Sequence, residues 1–450
     1  KYSFPQKHFY TFPLFMWVMA QYLSIQDALD KGSGKVSIRG WVHRERGSNK
    51  LKFVVLRDSS NTIQCVFKKE DFEKQWPEID HLQIEASIRI TGDINKDERA
   101  PTGYEVRVKE YELVGPSENY PITKDQSVEF LADNRHLWLR SQKMIAMLKI
   151  RSTVFNSIHE YFRSQGFYEY HSPIFQAVQC EGGAELFSVD YFGKKDVFLG
   201  QTWQLYAEPA IFALEKIYTI SPSFRAEKSK TSRHLTEYWH AEMEMAWAEF
   251  KDIQDYAEGL IKHVVQKVLE HHKPELEVLR RDVKKLEPSM KKPFVRMTYD
   301  EALQILDKKC KMKVQWGKDL RTLEEEKLTQ LYDVPVIVTH YPKVVKAFYM
   351  TEDPKNPKVV QGCDVLAPEG YGEIVGGSHR EHDLEKIKKR LVAQGEDPAQ
   401  YEFYLDTRRY GSVPHGGFGM GVERLIAWIC GLETVKDAIP FPRTMERYKP

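Results

Sequence analysis

A change of hydrophobic period is the feature that most constrains this chain. Over residues 24–115 it reads as strands. Val36, Ile38, Gly40 and Val42 alternate with polar or aromatic neighbours, and residues 52–57, 62–67, 87–91 and 104–111 repeat the pattern between Gly, Asn, Asp and Pro clusters. Five short strands in roughly 90 residues predict a small β-barrel or sandwich. From Ser141 the period becomes helical, with Met144, Met147, Leu148, Val154, Phe155, Ile158 and Phe162 on one face and a stop near Gly166. Strands and helices then alternate to Pro450, with strand-like runs at 197–200, 336–340, 347–350 and 359–366. A polar connector containing Gly115, Pro116 and Pro121 separates the two regimes. The expected organisation is a barrel domain over 20–116, a hinge over 117–134 and a mixed domain over 135–450, decorated by a helical insertion at about 268–330.

Composition narrows the function classes. The 450 residues carry 66 Lys plus Arg against 65 Asp plus Glu, a net of +1. Gross electrostatic adhesion to nucleic acid is excluded, and a local basic groove is left open. Cys65, Cys180, Cys310, Cys363 and Cys430 form no CxxC pair, so neither a zinc knuckle nor a disulfide framework is indicated, and a reducing cytosol fits. Residues 9–20 (FYTFPLFMWVMA) are apolar, but Pro13 interrupts them and they reach only about half of the ~20 residues a spanning helix needs. They are read as a leader outside the fold, with Met16 or Met19 as an internal start.

Three clusters carry chemistry. The first is Ser223-Phe-Arg-Ala-Glu227 and the KSKTSRHLTE that follows, which gathers Arg225, Lys228, Lys230, Arg233 and His234 between strand-like patterns. Basic groups at the lip of a hairpin suit a polyphosphate, because charge-assisted bonds to phosphate are about twice as strong as neutral ones. Glu227 argues against a merely solvated basic loop, since it would neutralise a purely electrostatic patch. The second cluster, PHGGFGMGVER ending at Arg424, lets backbone approach a ligand and projects Arg424 from the first turn of an apolar helix. Its spacing is neither GxGxxG nor GxxxxGK[ST], which excludes the Rossmann and P-loop sites. The third sets Asp364 and Glu373 either side of a Gly-containing turn, with Gly376-Gly-Ser-His-Arg380 beyond. Two such carboxylates would serve Mg²⁺ once phosphates complete its shell.

Together these elements resemble the class II aminoacyl-tRNA synthetases, in the subgroup for aspartate, asparagine and lysine. Phe224-Arg-Ala-Glu227 with Arg233-His234 resembles that family's motif 2, and Gly417 to Arg424 its motif 3. The helix from Ser141 followed by GFYEYHSP resembles motif 1, whose proline, Pro173 here, lies at the family's dimer interface. A barrel of the OB type precedes the motifs as in that subgroup, and the match runs from about residue 20 to the end. The resemblance implies a cytoplasmic, homodimeric amino acid–tRNA ligase that uses ATP and Mg²⁺ and does not enter a membrane. Its fold would be α+β, an N-terminal OB barrel plus a catalytic domain whose antiparallel sheet is flanked by helices.

By the same resemblance Arg225 would hold the α-phosphate and the amino-acid carboxylate, and Glu227 would read the adenine amino group. Tyr238, where phenylalanine is more usual, would stack on adenine, and Arg233 and His234 would reach the outer phosphates. Arg424, with Gly421 and Glu423 beside it, would cover the other adenine face, and Asp364 and Glu373 would hold Mg²⁺. In-line attack of a carboxylate on the α-phosphorus needs no protein nucleophile, so positioning and charge stabilisation carry it. Arg225, Arg424 and Glu373 are therefore the expected catalytic groups.

The pocket distinguishes the amino acids of the subgroup. Glu181 and Gln204 resemble its ammonium contacts, and Arg380 the arginine that meets the substrate side-chain oxygen. Where aspartyl enzymes carry a lysine this chain has Ala207, and where they carry Asp it has Glu242. A carboxylate there accepts from an amide NH₂ and repels an acid. The run containing Gly377 replaces an SGAQ-type run and points the same way. L-asparagine and tRNA(Asn) are the expected substrates, with an aspartyl ligase or an asparagine synthetase-like paralogue as alternatives. Glu244, on the same strand face, competes with Glu242 for the inward position. His379 is left between pocket and solvent. In the barrel Arg46, Phe53 and Gln64 match anticodon-binding positions, with Phe53 stacking on the middle uridine and Gln64 reading its edge.

Overall fold

The computed structural model describes residues 22–180 and 186–450, so the leader at 9–20 and Glu181 lie outside the described residues. Two compact units divide at Ser127 and Val128. In the first, helix α1 (Ile25–Lys31) starts where Ser24 Oγ accepts the Asp27 amide and ends at Gly32, whose φ of 67° an L side chain would resist. Strand β1 (Gly34–Ser48) turns Val36, Ile38 and Val42 inward. It is followed by β2 (Leu51–Arg57), β3 (Thr62–Lys68), a short helix α2 (Trp76–Asp80), β4 (Ser87–Lys96) and β5 (Tyr104–Gly115). The strands close as β1-β2-β3-β5-β4, which leaves no open edge to pair with another chain.

The second unit opens with two short helices, α3 (Val128–Asp133) and α4 (Arg135–Trp138), before the long α5 (Gln142–Ser164). Ser141 Oγ caps α5 by accepting the Met144 amide, and Met144, Met147, Ile150, Val154, Ile158 and Phe162 are all buried, as their spacing requires. Strands β6 (Tyr168–Glu169), β7 (Phe175–Gln176) and β8 (Phe198–Leu199) come next, then α6 (Gln204–Leu214) and the hairpin β9 (Lys216–Phe224)–β10 (Glu237–Ala246). Helices α7 (Phe250–His271), α8 (Lys273–Val278) and α9 (Glu287–Lys291) precede β11 (Val295–Thr298), α10 (Tyr299–Cys310) and α11 (Thr322–Thr329). The chain closes with β12 (Val336–Thr339), β13 (Gly362–Ala367), β14 (Gly372–His379), α12 (Leu384–Ala393), α13 (Glu402–Arg409), β15 (His415–Gly421) and α14 (Val422–Cys430).

Eight strands form one sheet in the order β11-β12-β13-β14-β15-β10-β9-β6. Its inner pairs are antiparallel, and only the two edge pairs, β11–β12 and β6–β9, run parallel. The main core packs α5, α7 and α14 against this sheet. Two expectations need correction. The stretch 268–330 is not simply a helical insertion, because β11 within it pairs with β12 as an edge strand of the eight-stranded sheet. Residues 347–350 form no strand: Phe348 and Tyr349 are buried in a separate apolar cluster with Tyr401 and Tyr404. Apolar content alone did not distinguish that cluster from a ladder.

Candidate active site

The middle of the sheet is built for close approach. Gly419 of β15 stands opposite Glu242 of β10 on one side and Gly376 of β14 on the other. A Cβ on Gly419 would enter the His240 ring, and one on Gly417 would meet the Glu244 carboxylate. Glycine is therefore demanded here by side chains of β10 that cross over β15. Two cavities open above these strands. One is lined by Glu227, Arg233, His234, Tyr238, Gly421 and Arg424, the other by Gln204, Glu242, Asp364, Gly377 and Arg380. Arg225, His240, Glu373 and Gly419 line both, so the cavities meet at those four residues.

In the first cavity Arg225 follows directly on β9, and its guanidinium lies 5.6 Å from the centroid of the Tyr238 ring. Arg424 donates from Nη1 to the Glu373 carboxylate and to its carbonyl, both at 3.0 Å. Arg233 pairs with Glu325 at 3.2 Å and also donates to the Gly370 carbonyl. With both guanidiniums folded onto acids, about 90 Å³ remains between the walls. His234 Nε2 stands 3.5 Å from Glu227, and burial first, then Arg424, lowers the histidine's pKa. Glu423 behaves differently from its neighbours. Its carboxylate takes Arg151 at 2.7 Å and the Trp239 amide at 2.9 Å, so it anchors α14 while lining the cavity.

Asp364 and Glu373 converge. A Cβ placed on Gly376 would lie 3.3 Å from Glu373 Oε1 and 3.7 Å from Asp364 Oδ1. Lys346 Nζ holds the other Asp364 oxygen at 2.8 Å. Burial pushes Asp364 up to about 6 against the pull of Lys346, whereas for Glu373 the positive charge of Arg424, Lys346 and Arg225 overcomes burial and the net shift is downward. Two partly buried carboxylates with oxygens over one glycine are a donor set that fits a divalent cation.

The second cavity, about 740 Å³, brings together Gln204, Glu242, Gly377 and Arg380, the expected amino-acid contacts. Glu242 accepts from Thr202 Oγ1 and, at 2.9 Å, from the Trp203 amide. Burial, partly offset by these donors, raises its pKa to about 7. Glu244 sits behind it and is held by Arg380, which also donates to Ser378 Oγ at 2.6 Å. Strand alternation thus puts both acids on one face, but only Glu242 lines the cavity. Ala207 needs correction as a pocket position. It packs in an apolar cluster with Trp203, Ile211 and Ile217, and the charged neighbour beside it is Glu208, buried against Arg408 at 2.5 Å. His379 is buried, with Nδ1 3.1 Å from Thr351 Oγ1 and Nε2 3.1 Å from the Ala248 carbonyl.

The barrel brings its three candidates together as well. Arg46 and Phe53 are cross-strand partners, with the guanidinium 5.0 Å from the ring centroid. Arg46 Nη2 lies 3.4 Å from Gln64 Oε1, and Gln64 Nε2 donates to Glu105 at 3.3 Å. Three residues of weight escaped the sequence reading: His240, Glu325 and Glu208. A lone histidine in a strand and acids in helical runs carry no signal until the fold buries them.

Comparison with known proteins agrees with this geometry. Residues 127–445 match the model of tRNA synthetases class II (D, K and N), and residues 36–114 match an OB-fold nucleic acid binding domain. The chain belongs to the class II tRNA synthetases of that group. Within it the similarity runs to asparagine–tRNA ligases. That of Thermoplasma acidophilum is 46% identical over 431 residues, 95% of this chain and all of the relative; that of Thermococcus gammatolerans is 47% identical over 416 residues, 92% and 96%. The structure of asparaginyl-tRNA synthetase from Pyrococcus horikoshii complexed with asparaginyl-adenylate superposes with a TM-score of 0.93 at 44% identity, covering 96% of this chain and all of that one.

Proposed function

We propose that this chain activates L-asparagine with ATP to asparaginyl-adenylate and transfers the asparaginyl group to tRNA(Asn). The observation that carries the reading is the junction of two cavities at Arg225, His240, Glu373 and Gly419, one walled by cations and an aromatic ring, the other by Glu242 and Arg380.

In this reading ATP lies in the first cavity, its base against Tyr238 and Glu227 and beneath Arg424, its outer phosphates toward Arg233 and His234. Asparagine lies in the second, its ammonium toward Gln204, its side-chain oxygen toward Arg380, its amide NH₂ toward Glu242 and its backbone along Gly377. Arg225 then spans the asparagine carboxylate and the α-phosphate, holding the reacting atoms in line and stabilising charge as it develops. Asp364 and Glu373 would hold Mg²⁺, which neutralises phosphate charge when bound. Ionised Glu242 admits an amide and opposes an acid, since a like charge at this site would be buried and unpaired.

The exposed apolar run of Tyr168, Ile174 and Phe175 beside Pro173 suits a homodimer contact, which a light-scattering mass would test. Among the described residues no helix is long and apolar enough to cross a membrane, which is compatible with a cytoplasmic site of action. The direct test of the reading is aminoacylation: labelled asparagine charges a tRNA(Asn) transcript and not one whose middle anticodon uridine is replaced. Equal charging of both transcripts would refute the assignment of Phe53 and Gln64, and no charging of either would refute the function.

A further inference from the structure

We propose that Glu208 is a positioning residue for substrate selection: its carboxylate binds Gln204 Nε2 and so turns the Gln204 amide oxygen toward the cavity, where it accepts the substrate ammonium. This rests on reading that cavity as the amino-acid site. Gln204 and Glu208 lie four residues apart on α6 and therefore share a face. Glu208 Oε1 accepts from Gln204 Nε2 at 2.9 Å and from the Tyr404 hydroxyl at 2.9 Å. Its Oε2 accepts from Arg408 Nη2 at 2.5 Å and lies 3.0 Å from His415 Nε2. Glu208 and Arg408 are fully buried, and Tyr404 and Arg408, both on α13, stack with the guanidinium 4.1 Å from the ring centroid.

The chemistry decides an orientation that shape alone does not. The two ends of a glutamine amide are nearly equal in size, but an ionised carboxylate only accepts, so the NH₂ must face it. Burial alone would raise the pKa of Glu208, but Arg408 and His415 outweigh it and hold the group ionised. The Gln204 oxygen is then left for the opposite side, where the Cys180 thiol stands 3.9 Å away and the cavity opens. An oxygen there suits an ammonium and opposes a bound carboxylate. A buried ion pair contributes little net stability, so its place behind the cavity wall is better accounted for by aiming Gln204 than by holding the fold.

The test is steady-state ATP–pyrophosphate exchange on the whole protein. Glu208→Gln can face Gln204 with either end of its amide and no longer dictates the orientation. The KM for asparagine should rise about tenfold, with kcat and the KM for ATP within about threefold. The reversed pair, Gln204→Glu with Glu208→Gln, restores an acceptor to the cavity and should recover the asparagine KM; a structural role alone would not allow that recovery. Gln204→Ala separates the two possible failures. If it leaves the asparagine KM unmoved, the amino-acid reading of the cavity fails; if it raises KM while Glu208→Gln does not, that reading stands and the role of Glu208 is overturned. Should the Glu208 variants not fold, neutron diffraction of the unaltered protein decides, since deuterons on the Gln204 atom facing away from Glu208 would overturn the proposal.

Discussion

Glu242 is the side chain proposed to set specificity. Its two oxygens take donors from Thr202 and the Trp203 amide, and burial raises its pKa to about 7. Glu244, Arg225 and Arg380 act on it, Glu244 favouring the proton and both arginines opposing it, and His240 Nδ1 stands 3.4 Å from its Oε1. Above about pH 7 the group is ionised, accepts from an amide and repels an acid; below it the proton returns and that repulsion fades. The ratio of kcat/KM for asparagine over aspartate should therefore fall as pH drops through about 7, and Glu242→Gln should flatten the profile; a wild-type ratio independent of pH contradicts the assignment. Gly419→Ala is a second residue-scale prediction. The added methyl enters the His240 ring where the cavities meet, so exchange should fall at least about tenfold while cooperative unfolding is kept. Arg225 and Arg424 were legible because their motifs are dense; Glu242 was read from its match to an aspartyl position, with Glu244 as its competitor until the cavity lining separated them. Glu325 was not legible, because it sits in Glu324-Glu-Glu326, which reads as a solvated face. Only the fold brings it to Arg233 and the Glu373 amide, where burial and Glu373 raise its pKa to about 7.

Among the elements, α14 depends on its anchor. Arg151 of α5 reaches Glu423 at 2.7 Å and the Ala438 carbonyl at 2.9 Å, while Glu423 also accepts the Trp239 amide of β10. Helix, sheet and α14 are thereby joined one residue before Arg424. Arg151→Met would leave a buried carboxylate with backbone donors alone, and a loss of about 3 kcal/mol in urea unfolding is expected. The ATP KM should rise as well, because Arg424 loses its fixed base. An unchanged denaturation midpoint would show that the pair contributes nothing. The period of α5 was readable because its apolar face repeats over about five turns, from Met144 to Phe162. The edge strand β11 was not, since four residues between helices carry too little pattern to separate strand from loop. Ala207 was misplaced for a related reason: sequence position identifies a place on the helix, and only packing shows that of Gln204, Ala207 and Glu208 it is Gln204 that lines the cavity.

For the molecule as a whole, the two units divide the task, with RNA recognition read on the barrel and chemistry on the eight-stranded sheet. Phe53→Ala should lower charging efficiency for tRNA(Asn) by about tenfold or more, the value of one base–aromatic stack. Asparagine-dependent exchange needs no tRNA and should persist; a parallel loss of exchange would contradict that division. The central claim, that the cavity beside Glu242 and Arg380 takes an amide and refuses an acid, is tested most directly by ATP–pyrophosphate exchange with each amino acid at about pH 8. The account predicts robust exchange with asparagine and none above background with aspartate. Exchange with aspartate at a comparable rate would contradict it.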